Sequence, residues 1–191
     1  MDQVSDLLQA TQLLKRWSDG DDSALHALMP MVYEELRAAA RAACQKQDFD
    51  GQMQPTVLVH EAYLRIANLN NQEWSGRAHF LAVAAKAMRQ LVIDDARARR
   101  AAKRGSGERP LTLDTTLFNP KTPHMVDVLS VEEALQNLAR LDERKAKVVE
   151  KRLFGGLTNE EVAQVLGVAR STVADDWTFA RAWLAEELQE N

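Results

Sequence analysis

From Arg77 to Arg104 the chain runs without a glycine or a proline and is rich in alanine, leucine and methionine. Such a segment favours one long helix, because nothing in it breaks the backbone ladder. The rest of the sequence keeps the same period. Leu7, Leu8, Leu13, Leu14 and Trp17 recur at three-to-four spacing behind Ser5 and Asp6, two candidate caps. SDGDD interrupts, and the period resumes through Leu25, Leu28, Met29, Val32, Tyr33 and Leu36. Beyond the polar loop QKQDFDGQMQP it returns at Leu58, Val59, Ala62, Tyr63 and Ile66. No segment alternates at period two for long enough to make a strand, so the expected fold class is all-α.

The texture changes after residue 104. Two of the eight glycines and three of the five prolines fall in GSGERPLTLDTTLFNPKTP. Proline lacks the amide proton and glycine carries an entropy cost, so this stretch holds no long helix. Its length suits a linker better than a loop inside one domain. The expected organisation is a helical domain over 1–104, a flexible linker over 105–126 and a second helical domain over 127–191.

The last part carries the clearest local grammar. Ser130 with Glu133 makes a capping box that opens a helix through Val131, Leu135, Leu138 and Leu141. Asp142 caps the next helix, DERKAKVVEKRLF, which stops at Gly155-Gly156. Thr158 with Glu161 makes a second box before the short amphipathic segment TNEEVAQVL, and Gly167 allows a tight turn. RSTVADDWTFARAWLAEEL follows, with Val173, Trp177, Ala180 and Leu184 on one face. A short helix, a glycine turn and a second helix form a helix-turn-helix, and the small Ala163 lets the two helices cross closely.

Composition removes several classes of function. A chain that is 46% hydrophobic and 27% charged can bury a core, and no stretch approaches a membrane span. The N-terminus has no basic region followed by an apolar run, so a cytoplasmic protein is expected. The single cysteine, Cys44, excludes an internal disulfide and a cysteine-built zinc site. His26, His60, His79 and His124 have no ligand spacing. His60-Glu61 begins like a zinc-protease helix, but Leu64 stands where the second histidine is required. No phosphate loop and no nucleophile elbow is present, so neither catalysis nor a metal or cofactor is expected.

The net charge of −4 hides one basic run: Arg97, Arg99, Arg100, Lys103 and Arg104 place five positive charges within eight residues. Two roles suit it, a surface for phosphate and a solvated helix end whose cations complement the dipole.

Taken together, these pieces resemble the extracytoplasmic-function sigma factors of bacterial RNA polymerase. ALHALMPMVYEELRAAARAA looks like the first helix of their sigma-2 domain, and LVHEAYLRI looks like the polymerase-binding helix. WSGRAHFLAVAAKAMRQLVIDDARARRAAKR looks like the loop and long helix that open the promoter. LFGGLTNEEVAQVLGVARSTV looks like the sigma-4 helix-turn-helix. The resemblance implies an initiation factor that binds core RNA polymerase, at its β′ clamp and β flap, and promoter DNA. Leu58, Glu61 and Arg65 would then meet polymerase. Asn70, Asn71, Gln72 and Trp74, with His79 and Phe80 beside them, would meet an unstacked base of the −10 element. Simple core packing is the other role open to Trp74 and Phe80. The basic run would neutralise phosphates. Arg170, Ser171 and Thr178 would read the −35 element.

Two departures from the family pattern stand out. Where members carry basic residues after Thr172-Val173, this chain has Ala174, Asp175 and Asp176, and carboxylates near phosphate are unfavourable unless paired. Members also open the polymerase-binding helix with an acidic D-x-E-D cluster before L-V-x-E. Here Leu58, Val59 and Glu61 match the second part, while Gln54, Pro55, Thr56 and Val57 replace the first. Thr56 stands where a glutamate belongs, and a phosphate on it would add about −1.5 to −2 charge at a helix N-terminus. The expectation is a switch by a Ser/Thr protein kinase, as proposed for a subgroup lacking the cluster; an ordinary threonine cap is the other role. A free-standing helix-turn-helix regulator is the competing function, since it binds duplex DNA without polymerase.

Overall fold

The computed structural model describes residues 3–43, 54–69, 73–102, 111–114 and 125–189. In chain order these form α1 (Gln3–Ser18), α2 (Asp22–Ala43), α3 (Pro55–Ala67), α4 (Arg77–Ala102), β1 (Thr112–Asp114), β2 (Met125–Asp127), α5 (Val128–Leu141), α6 (Glu143–Gly155), α7 (Asn159–Leu166) and α8 (Arg170–Glu187). Among the described residues the fold is all-α apart from one short ribbon.

Local signals place most of the helix ends. Asp142 accepts hydrogen bonds from the amides of Arg144 and Lys145 at 3.0 and 3.2 Å, capping α6. Gly156 ends α6 in the left-handed region at φ 65°, which a side chain would strain. Thr158 and Glu161 form the reciprocal box that opens α7. Two starts differ from expectation. Ser5 and Asp6 lie inside α1, which begins at Gln3. The cap of α5 is Asp127, whose carboxylate accepts from the Leu129 amide at 2.9 Å, and Ser130 falls in the first turn. The cause is the preceding ribbon: the Val128 amide donates to the Leu111 carbonyl at 2.9 Å, so strand passes directly into helix.

That ribbon lies in the segment whose composition marks a linker. β1 and β2 pair antiparallel, with Leu113 opposite Val126. Leu111 and Leu113 point inward and are buried, while Thr112 between them is only half-buried. Strands of three residues are too short to show alternation in a sequence.

The core is organised around α4. Phe80, Leu81, Ala84, Ala85, Met88, Val92 and Ile93 are all buried, and they lie on more than one side of the helix. Lys86, Gln90, Arg97 and Arg100 face solvent, while the apolar residues to either side of that strip need covering on two flanks. α1, α2 and α3 cover one side of α4, and α5, α6 and α7 cover the other. The buried side chains of all eight helices therefore join in one continuous cluster.

Substituting Leu113 by alanine should lower stability by about 2–4 kcal/mol, the range for a buried leucine. The urea midpoint reads this loss; an undocked tether would leave it unchanged.

Candidate polymerase and nucleic-acid interfaces

α3 presents two unlike faces. Leu58, Val59, Ala62 and Ile66 are buried against the bundle, so Leu58 holds the helix in place and does not reach the surface. Tyr63 fixes α3 to α2 through a 3.1 Å hydrogen bond between its hydroxyl and His26 Nδ1. Outward, Val57 and Leu64 are 47% and 41% exposed at a spacing of two turns, an apolar ridge without a partner on the helix itself. Glu61 lies half-buried between them, and Arg65 is exposed while bound to Asp94 of α4 at 3.1 Å.

The first turn of α3 contains no acid. Its N-cap is Gln54, which makes no side-chain capping bond, and Pro55 is the first helical residue. Thr56 is therefore the second residue of the helix, exposed, and not its cap. The amides of a first helical turn favour negative charge.

Of the loop before α4, Asn70, Asn71 and Gln72 lie outside the described residues. Trp74 is half-buried and stacks on Trp17 of α1, with ring centroids 5.1 Å apart and planes 18° apart. His79 and Phe80 pack against the same indole, both at 5.5 Å. One face of Trp74 thus belongs to the core, and an incoming base has only the remainder. Phe80 is fully buried, and His79 Nδ1 accepts from the Ser75 amide at 3.3 Å.

At the far end of α4 the basic run divides. Arg99 is bound to Asp95 at 2.7 Å, whereas Arg97 and Arg100 are exposed. These two line a groove of about 790 Å³ together with Arg140 of α5, and Glu132 and Glu133 line it too. Lys103 and Arg104 lie outside the described residues.

In the helix-turn-helix, Gly167 adopts φ 66° between α7 and α8, and the Val168 amide returns to the Ala163 carbonyl at 3.1 Å. Arg170, Ser171 and Thr178 are all exposed on α8. Arg170 lies 3.7 Å from Glu160, both largely solvated, so this pair constrains it little. The Thr178 hydroxyl donates to the Ala174 carbonyl at 2.8 Å.

The adjacent carboxylates separate. Asp175 is exposed, but Asp176 is buried and accepts from Arg144 Nε at 2.6 Å and from Lys145 Nζ at 3.2 Å. The Arg144 hydrogen bond, opposed by burial and joined by Lys145, holds Asp176 below its usual pKa of 3.8. Asp176 therefore ties α8 to the start of α6 and presents no charge to a groove.

Arg152 is a residue that sequence reasoning missed. Its guanidinium lies 4.5 Å from the Trp177 ring and binds Asn159 in the first turn of α7. Its Nε is buried without a hydrogen-bond partner. Burial and the nearby Arg181 both depress its pKa. Arg152 and Arg181 thus bring two positive charges near one another, beside a helix start that Thr158 and Glu161 already cap. No spacing rule joins residues 152, 159 and 181; only the packing of α6 against α7 and α8 does.

Among the described residues no group of three His, Cys, Asp or Glu side chains could hold a metal ion, and no helix is long and apolar enough to cross a membrane. The family model for the ECF sigma factor matches residues 7–190, which takes in the helical bundle, the ribbon and the helix-turn-helix. No curated protein matches the chain.

Replacing Asp176 with asparagine should cost about 1–3 kcal/mol, less than a fully buried pair because Arg144 is partly solvated. The lowered pKa of Asp176 means its contribution is present above pH 3.8 and is lost as pH falls through the folded-state value. Urea melts from pH 7 to 3 should show the gap between wild type and variant closing at the acid end.

Proposed function

Because the chain belongs to the ECF sigma factor family, we propose a division of labour among its surfaces and a switch at Thr56. The protein is an alternative sigma factor that binds core RNA polymerase and directs transcription at promoters. It is an initiation factor; the polymerase does the chemistry.

The N-terminal helical domain, residues 1–104, docks on the β′ clamp through α3. The apolar ridge of Val57 and Leu64 supplies contact area, with Glu61 and Arg65 as polar partners and Leu58 holding the helix from below. The same domain engages the −10 element with Asn70, Asn71 and the accessible part of Trp74. Arg97, Arg99, Arg100, Lys103 and Arg104 meet the adjoining phosphates. The C-terminal domain, residues 127–191, reads the −35 element through Arg170, Ser171 and Thr178 and meets the β flap. Arg152 and Arg181 take a phosphate beside it. Such a factor works in the cytoplasm.

One observation carries the switch. The first turn of α3 has no acidic side chain, and its second residue is an exposed threonine. A phosphate there lies at the positive end of a helix dipole and presents the charge that basic residues on the clamp require. A Ser/Thr protein kinase is the implied partner.

Purified core polymerase should bind the Thr56-phosphorylated protein at least about tenfold more tightly than the unmodified one, a difference of about 1.4 kcal/mol. Thr56→Ala should abolish promoter activation in cells. Equal binding by both forms removes the switch, and binding by neither removes the docking surface.

Arg152→Ala should weaken binding of the C-terminal surface to duplexes of any sequence. It should also flatten the plot of log affinity against log salt by about 0.9 for the lost phosphate. A sequence-dependent loss with an unchanged slope would place Arg152 elsewhere.

A further inference from the structure

Lys151 of α6 occupies a place where an apolar side chain belongs. Val148 precedes it by one turn, and Phe154 and Gly155 follow by one turn, so the four residues share one face of the helix. All four are buried. This face meets α4: a Cβ built on Gly155 would lie 2.8 Å from Ala85 Cβ. The lysine side chain is itself only 10% exposed.

A buried ammonium needs a carboxylate of its own. Among the described residues the carboxylate beside Nζ is that of Glu150, at 3.8 Å and so beyond hydrogen-bond length. Its other oxygen is already taken, accepting from Arg89 Nη1 at 2.5 Å. Two further charges that act on the amine have the wrong sign, Lys147 one turn earlier on α6 and Lys86 on α4. Both are exposed, and Lys147 is bound to Glu143 at 2.8 Å. Burial above all holds the Lys151 amine below its usual pKa of 10.5; Lys147 and Lys86 add to the effect, and Glu150 opposes it.

A lysine that is desolvated and set beside other cations is activated as a nucleophile. CO2 is an electrophile small enough for a nearly closed site, and its adduct with an amine is an anion. Lys86 and Lys147 stand ready as counter-ions, so surroundings that disfavour the ammonium favour the carbamate.

We infer that Lys151 is a carbamylation site, where dissolved CO2 adds reversibly to the Nζ amine. The ammonium first yields a proton to water. The nitrogen lone pair then forms an N–C bond while one C–O π pair moves onto oxygen, and a second proton leaves the nitrogen. Nothing is oxidised or reduced, and the side chain passes from a single positive charge to a single negative one. Carbamylation releases protons, so at fixed dissolved CO2 it rises with pH. Neither the polymerase surface nor the DNA surfaces enter this chemistry.

The test equilibrates the full-length protein with bicarbonate at about pH 8, near the ordinary α-amino pKa, and traps carbamates as ethyl esters with triethyloxonium. Peptide mass spectrometry reads each amine, with the α-amino group as internal standard. Lys151 should carry several-fold more ester than the exposed Lys86 and Lys147, and concentrated guanidinium chloride should abolish that preference. Lys151→Arg should keep its helix content by circular dichroism and lose the ester. Lys86→Gln combined with Lys147→Gln alters only exposed side chains. It should lower the Lys151 ester, since it favours the ammonium and removes the carbamate's counter-ions. Isotope-labelled bicarbonate reads the same adduct without a trapping reagent, as a carbamate carbon resonance missing from Lys151→Arg.

Absence of both ester and resonance at Lys151, an ester yield equal to that of Lys86, or a double variant labelled as fully as wild type would each overturn the site.

Discussion

A helix with apolar residues on two flanks has to be covered on both, and α4 is that helix here, with Lys86 and Gln90 left to solvent. Phe80 and Met88 call for covering layers, and α1 to α3 supply only one of them. The other comes from α5, α6 and α7, so the C-terminal helices complete a core that the N-terminal ones leave open. Small residues set the spacing: Ala84 and Ala85 on α4 and Gly155 on α6 let the backbones approach before larger side chains meet. Arg77 and Arg89 then fix the register, since each guanidinium has carboxylates waiting on two different helices.

Opposing terms govern this seam. Closing it removes apolar surface from water, which favours association. Closing it also desolvates two arginines and their glutamates, and the ion pairs roughly offset that cost without much surplus. What such pairs add is a defined docking geometry. The C-terminal unit, by contrast, has its own internal tie. Asp176 joins α8 to the start of α6 without touching α4.

Features set by near neighbours in the chain were legible beforehand. The caps at Asp142 and Thr158 and the turns at Gly156 and Gly167 depend on residues within a few positions. The long helix was legible from composition. The α5 cap was not, because Asp127 and Ser130 are both good caps, and a hydrogen bond from Val128 to Leu111 in the ribbon decides between them. Trp74 looked like a surface for a base, yet its stacking partner Trp17 lies in α1, far away in sequence. Asp176 looked like a liability beside DNA, and only the fold brings Arg144 and Lys145 to it. Among the candidate contacts, the exposed positions Arg170, Ser171 and Thr178 follow from helical phase. Arg152 does not, since its use depends on three helices converging.

The central claim is that the first turn of α3 docks on core RNA polymerase once Thr56 carries a phosphate. Binding of the full-length protein to purified core polymerase, with and without that phosphate, tests it most directly. Binding at least about tenfold tighter for the phosphorylated form is the expected result. Equal binding by both forms would contradict it.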